Sequence, residues 1–228
     1  MSFILRDVQI IRLATKIEFE NYLKEIVNCY RIIFGGQDWK EWKICENGHK
    51  FSLIESEDKE ACDFCQKPLR FYWPEEEVIK DMRHIFSLDD CCFVVALLDE
   101  KIIGFTFGYR MDERQAKKHF DNHLPYKLSR IIRSNSSCFW YQSDIGVDEK
   151  FRGKHLATKL FKKRMSEILE ETDHNCFVVR SQPKAKTYHW YRQKIGYRML
   201  SRYYRPDINE WRYLLYADRR LVHNYINK

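Results

Sequence analysis

Residues 143–160 read Ser-Asp-Ile-Gly-Val-Asp-Glu-Lys-Phe-Arg-Gly-Lys-His-Leu-Ala-Thr-Lys-Leu, and the hydrophobic period changes in the middle. Upstream, Phe139, Trp140, Tyr141, Ile145 and Val147 set β-prone side chains among polar ones. Downstream, over about His155–Glu171, Leu156, Leu160, Phe161, Met165, Ile168 and Leu169 recur at helical spacing. A short basic turn, Lys150 to Lys154, lies between them. A strand that passes through a tight turn into a helix leaves the first helical N–H groups unpaired and facing outward. With the positive end of the helix dipole they form an anion site, for which phosphate is the common occupant. Gly153 fits such a turn, because a backbone that approaches a phosphate closely has no room for a Cβ. The chain has only eight glycines, so one at this junction carries information.

The stretch is neither a P-loop, since GxxxxGK[ST] is absent, nor the dinucleotide-binding GxGxxG. Val147 to Ala157 resembles the acyl-CoA motif of GNAT-family N-acyltransferases, a strand ending in Val, a short acidic link, then [QR]-x-x-G-x-[GA] opening a helix. Lys150, Gly153 and His155 fall at the three defining positions; Gly153 matches, Lys150 is a mild departure, and His155 places a bulky side chain where relatives have Gly or Ala. A second run has the same resemblance: a buried strand, Cys176 to Gln182, precedes Pro183 to Tyr197, similar to the family's helix that ends in Tyr-x-x-x-Gly-Phe. The two motifs stand in the family's order and spacing, and the resemblance covers about residues 91–218. It implies an α/β GNAT acyl-CoA N-acyltransferase fold: a central mixed, mostly antiparallel sheet flanked by helices, with acetyl-CoA or another acyl-CoA as co-substrate.

At 228 residues the chain is read as one GNAT domain, 1–228, with a small insert. Its 44% hydrophobic and 15% aromatic content suffices for a sizeable core. No apolar run reaches about 18 residues, so no membrane span is expected. The N-terminus shows no signal-peptide pattern, and a cytoplasmic location is expected. A net charge of +7 fits an anionic cofactor, and with no long basic block or RNA-binding signature nucleic acid is not the expected partner.

In chain order, Phe3–Leu13 alternates as a first strand. Ile17 to about Phe34 is amphipathic, with Gly35-Gly36 ending the helix. Pro74 opens a second helix with acids in its first turn. Cys91–Leu98 and Ile102–Arg110 form a hairpin. Met111 to about Ile132 is helical in part, with Pro125 breaking it. Tyr197–Tyr204 and Glu210–Ala217 are final strands joined through Pro206-Asp207.

Between the first two helices lies Cys45-Glu-Asn-Gly-His49, then twelve residues, then Cys62-Asp-Phe-Cys65. Cys-x-x-Cys grips one tetrahedral metal from a single turn, and Cys45 with His49 supplies the second pair. Three thiolates and an imidazole suit zinc, and four protein ligands make the site structural. The segment of about 43–71 is too small to hold itself together by burial, so it is read as a zinc-ribbon-like insert. Eight cysteines here are not a disulfide framework. In the GNAT order this region lies over the acceptor groove, so the resemblance implies that the insert shapes acceptor choice.

Acyl transfer to an amine needs a neutral amine, a polarised carbonyl and a protonated leaving thiolate. The resemblance implies direct attack with no covalent enzyme intermediate. It places Ile145 and Val147 along the pantetheine arm, and the backbone N–H groups of Arg152, Gly153, Lys154, His155, Leu156 and Ala157 on the pyrophosphate. Asp144, three residues before Val147 where many relatives carry an acid, is the candidate general base. Relatives place a tyrosine general acid four residues before the glycine of Gly-Phe, and that position here is Arg192. Tyr191 stands one residue earlier, about 100° away around a helix, and serves only if a bulge re-aims it. Tyr188 is the other nearby phenol; both could equally be aromatics of the core or of the cofactor wall. The acceptor amine stays open among small molecules, peptides and protein lysines. The alternative function is a GNAT scaffold with weak or lost catalysis that acts as a zinc-dependent interaction module for protein or nucleic acid.

Overall fold

The computed structural model describes residues 7–120, 125–134, 138–205 and 210–228. The elements run β1 (Gln9–Leu13), α1 (Lys16–Gly35), β2 (Lys43–Cys45), β3 (Lys50–Phe51), α2 (Leu53–Ser56), β4 (Leu69–Phe71), α3 (Glu75–Phe86), β5 (Cys92–Leu98), β6 (Lys101–Asp112), α4 (Glu113–His119) and α5 (Tyr126–Ser134). They continue β7 (Cys138–Val147), α6 (Leu156–Glu171), β8 (Cys176–Ser181), α7 (Lys186–His189), a π-helical turn (Trp190–Ile195), β9 (Arg198–Arg205), β10 (Glu210–Asp218) and α8 (Arg219–Ile226). A seven-stranded sheet has the order β1-β5-β6-β7-β8-β10-β9. Among the pairings described, only that of β7 with β8 is parallel. This is the expected mixed α/β sheet flanked by helices. A separate three-stranded sheet has the order β3-β2-β4.

Most elements stand where the periodicity put them, for local reasons. α1 opens with a capping box: Glu18 N–H donates to the Thr15 hydroxyl at 3.2 Å, and Thr15 N–H donates to the Glu18 carboxylate at 2.9 Å. It closes where Gly36 N–H returns to Ile33 O. Of the expected first strand, 9–13 is a strand and 3–6 lies outside the described residues, as do Pro206-Asp207 and His123. The region after β6 forms two short helices around Pro125, and α8 has no counterpart in the sequence reading.

The chain forms two compact units. One comprises the chain up to Ser87, Phe93–Thr106 and Ile145–Phe161. Its core sets Phe19, Leu23, Ile26 and Val27 of α1 with Val78 and Met82 of α3 and Phe93 of β5. There Phe19 stacks on Phe86 at 4.2 Å and meets Phe93 edge-on at 5.6 Å. The other comprises Leu88–Cys92, Phe107–Asp144 and Lys162–Lys228. Its core holds Phe107, Trp140, Phe177, Tyr191, Tyr197 and Leu214, all buried. The last two strands pair antiparallel as expected, but β10 lies between β8 and β9, with Tyr213 opposite both Ser181 and Arg202.

Candidate functional site

In the first unit β7 ends at Val147, and the chain turns once through a 3₁₀ segment, Glu149–Phe151. Asp148 starts the turn by accepting Lys150 N–H at 3.0 Å. Gly153 follows at φ +77, with open space where a Cβ would point. His155 is left-handed too, at φ 58, and exposed. The first N–H of α6 to reach back is that of Lys159, on His155 O at 3.0 Å. Among the described residues no acceptor meets the N–H groups of Gly153, Lys154 or His155, and those of Leu156 and Ala157 are first-turn orphans. Among the described residues, Gly153 to Ala157 thus form a run of unpaired donors, and Arg152 stands outside it. Arg152 already commits its N–H to Glu149 O at 3.2 Å, and its guanidinium bonds Val147 O at 3.1 Å and Asp38 at 2.5 Å. It braces the loop instead of donating from it.

In the second unit the parallel ladder of β7 with β8 ends at the pair Gln142↔Val179. The next two residues of β7, Ser143 and Asp144, are half-buried, and the Ser143 hydroxyl donates to the Asp144 carboxylate at 3.0 Å. Burial pushes the Asp144 carboxyl up, against the pull of that hydroxyl and of the Arg180 and Arg164 guanidiniums. Arg164, fully buried on α6, donates to Phe107 O at 3.0 Å, to the Gln142 side-chain carbonyl at 2.7 Å and, at 3.5 Å, to Asp144 O. It also lies over the Trp140 ring at 5.1 Å. The Gln142 amide nitrogen bonds the Tyr197 hydroxyl, which fixes the amide's orientation.

Tyr191 belongs to the same group. Its O accepts Gly196 N–H five residues on, at 3.0 Å, within the π-helical turn, and Gly196 ends the turn at φ 96. The turn thus holds one more residue between the tyrosine and the glycine than an α-helical turn would. The phenol is 2% exposed; burial pushes it up, while the adjacent Arg164 guanidinium pulls it down and the Asp144 carboxylate opposes that pull. Tyr188 is half-buried and packs edge-on against Tyr213 at 5.2 Å.

Back in the first unit, Cys45, His49, Cys62 and Cys65 converge, with all four candidate ligand atoms within 4.8 Å of one another. His49 Nδ1 lies 3.4 Å from Cys45 Sγ and 3.3 Å from Cys62 Sγ, and the Cys45 and Cys65 sulfurs are 3.6 Å apart. A tetrahedral zinc with bonds of about 2.3 Å to sulfur and about 2.0 Å to nitrogen holds its donors about 3.5–3.8 Å apart, so the set has the right size. Burial pushes the Cys45 thiol up, but the N–H groups of His49 and Asn47 and the thiols of Cys65 and Cys62 outweigh it and bring Cys45 down to about 7. Cys45 and Cys62 form a small core with Phe51, backed by Leu69.

The sequence pattern of the acetyltransferase (GNAT) family matches residues 59–197. The chain belongs to that family. No match was found among curated protein sequences. Three solved structures share the fold. NAA60 of Arabidopsis thaliana, in complex with acetyl-CoA, is 13% identical over 93% of this chain and 99% of its own, with a TM-score of 0.57. An N-acetyltransferase of Staphylococcus aureus Mu50 is 14% identical over 92% and 98%, at 0.53. A GNAT-family acetyltransferase of Streptococcus pneumoniae is 10% identical over 92% and 99%, at 0.52. Among the described residues of this GNAT chain, no helix is long and apolar enough to cross a membrane.

Some of the GNAT chain's site residues escaped the sequence reading. Arg164 interrupts the apolar stripe Leu160, Phe161, Met165, Ile168, and a cation in the buried face of an otherwise regular helix was the signal available. Gln142, Tyr197 and Arg180 gave no comparable signal, since polar residues on a strand read as its solvent face.

Proposed function

We propose that the protein moves an acetyl group, or another acyl group, from its CoA thioester to an amine by direct attack. The observation that carries this is the run of free N–H groups from Gly153 to Ala157 at the end of β7, together with membership of the GNAT family. Those donors hold the pyrophosphate at the helix N-terminus, and the Ile145–Val147 backbone lies along the pantetheine. The amine nitrogen attacks the thioester carbonyl and the C–S bond breaks. Asp144 takes the amine proton, and Tyr191 gives its phenolic proton to the departing thiolate. A carboxyl pushed up by burial is a better base than an ordinary aspartate, and the Arg164 guanidinium stabilises the phenolate left on Tyr191. Cys45, His49, Cys62 and Cys65 hold one structural zinc, which folds the insert and takes no part in the chemistry.

Calorimetry with acetyl-CoA and longer acyl-CoAs tests the reading, followed by thiol release over a panel of amines. Asp144→Asn and Tyr191→Phe should keep CoA affinity and lose about 100-fold or more in kcat. Absence of acyl-CoA binding sinks the proposal. Binding without turnover of any amine would favour the non-catalytic scaffold.

A further inference from the structure

Apart from the residues assigned to acyl transfer, the second unit holds a cysteine, a histidine and an aspartate in series. His174, between α6 and β8, sets Nε2 2.8 Å from the Asp90 carboxylate and Nδ1 4.0 Å from the sulfur of Cys138, the first residue of β7. An ionised carboxylate only accepts, so in the neutral ring Nε2 carries the proton and Nδ1 turns its lone pair to the sulfur. The two ring nitrogens serve opposite partners, so the three groups form a relay and not a metal set; the metal-sized convergence among the described residues is the one in the insert. The Arg110 guanidinium of β6 hydrogen-bonds the same sulfur, and that contact is the first cause that raises its own pKa.

Each segment of this relay is fixed by further contacts. Asp90 stands at φ 50, in the left-handed region that few side chains visit, and its O accepts the indole N–H of the fully buried Trp140 at 3.0 Å. Such a conformation persists where the surroundings over-determine it, and here it fixes the carboxylate on His174. Arg110 N–H donates to Asp89 O at 2.9 Å, and the Arg110 guanidinium lies 3.6 Å from the Asp89 carboxylate. Arg219 clamps the turn that carries the histidine, donating to Thr172 O at 2.6 Å and to His174 O at 3.3 Å. A nucleophile beside a base, with the base oriented by a third group, is the arrangement that activates a thiol. Other cysteines of the chain sit differently. Burial pushes the Cys29 and Cys176 thiols up to about 12, which keeps them inert.

We propose that Cys138 is a nucleophilic thiol and a site of oxidation by hydrogen peroxide, with His174 as its base and Asp90 as the residue that orients the base. The sulfur attacks one peroxide oxygen, so that the S–O bond of a sulfenic acid forms while the O–O bond breaks. The thiol proton passes to His174 Nδ1 and on to the departing hydroxide, which leaves as water. Sulfur gives up two electrons and the peroxide takes them. Arg110 supports the negative charge that builds at the sulfur. Size selects the oxidant: Cys138 is 8% exposed, which suits a molecule close to water in size and not a bulky disulfide.

The test treats the full chain with hydrogen peroxide in the presence of dimedone, which traps sulfenic acids, and maps the adducts over time by peptide mass spectrometry. Cys91 is the internal control, since it is the more exposed of the two thiols. Exposure alone would oxidise Cys91 first; a positioned base should make Cys138 the faster by at least about tenfold. His174→Gln should slow Cys138 at least about tenfold and leave Cys91 as it was, and Asp90→Asn should slow Cys138 severalfold. A merely structural role for Asp90 gives the opposite sign, because a loosened fold exposes the sulfur and speeds its oxidation. Cys138 recovered in a disulfide also supports the proposal, since the sulfenic acid is the precursor. Cys91 reacting as fast as Cys138 in the parent overturns it, a comparison that stands even if a variant fails to fold. A Cys138 rate unchanged or raised in both variants overturns it as well.

Discussion

Arg164→Met removes a buried cation and its fork of donors while nearly keeping the side-chain length. Two close acceptors lose their partner, Phe107 O at 3.0 Å and the Gln142 carbonyl at 2.7 Å, and Gln142 cannot turn to recover because its nitrogen is committed to Tyr197. Each orphaned buried acceptor costs about 1–3 kcal/mol. Loss of the guanidinium over Trp140 adds about 1–2 kcal/mol at this depth. Against this, the variant no longer desolvates a cation, a relief of about 1–4 kcal/mol. The net expectation is a loss of about 2–4 kcal/mol, which for a chain of this length lowers Tm by about 5–15 °C. Thermal unfolding followed by near-UV circular dichroism reads it, because Trp140, Tyr191 and Tyr197 surround the site. A functional readout separates packing from electrostatics. Without Arg164 the Tyr191 phenol should move further up, and kcat should fall with KM for acetyl-CoA unmoved. Arg164→Lys restores the charge but not the fork, and should recover part of kcat and less of the stability. A Tm within about 2 °C of the parent, or above it, would refute the reasoning by showing the cation to be a net burden.

Asp144 is held up by burial, so the folded chain keeps its proton to a higher pH than the unfolded chain; that stabilisation is complete below the ordinary carboxylate pKa and is lost as pH rises through the folded value. The parent should therefore lose Tm relative to Asp144→Asn as pH rises from about 4 toward 8, and parallel Tm curves would contradict this. Cys62→Ser should release the metal and make the segment near 43–71 sensitive to protease while acetyl-CoA binding survives; loss of CoA binding as well would make the segment part of the main core. His155→Gly relieves a left-handed side-chain residue and should add about 1 kcal/mol with acetyl-CoA affinity kept, since the backbone N–H remains. Gly153→Ala, at φ +77, should cost about 1–2 kcal/mol and weaken that affinity, and equal effects of the two changes would contradict the loop geometry.

The sequence alone determined whatever depends on neighbours along the chain. The period change at Val147–His155, the end of α1 at Gly35-Gly36 and the break at Pro125 are local, and these three features stand within a few residues of their reading. The two Cys/His pairs were legible because ligand spacing within a turn is local too, although only folding brought them within 4.8 Å. Tertiary structure decided the rest. The hairpin signal of β9 and β10 was clear, but which strand lies beside β8 depends on pairing across distant sequence. That the segment from Tyr191 to Gly196 is a π-helical turn is likewise a tertiary fact, since an added residue and a moved tyrosine read alike in one dimension. Arg164, Arg180 and His119 gain their character from desolvation, which is a property of the packed interior. No spacing rule states which cation the fold will bury, or which imidazole nitrogen it will bury without a partner among the described residues.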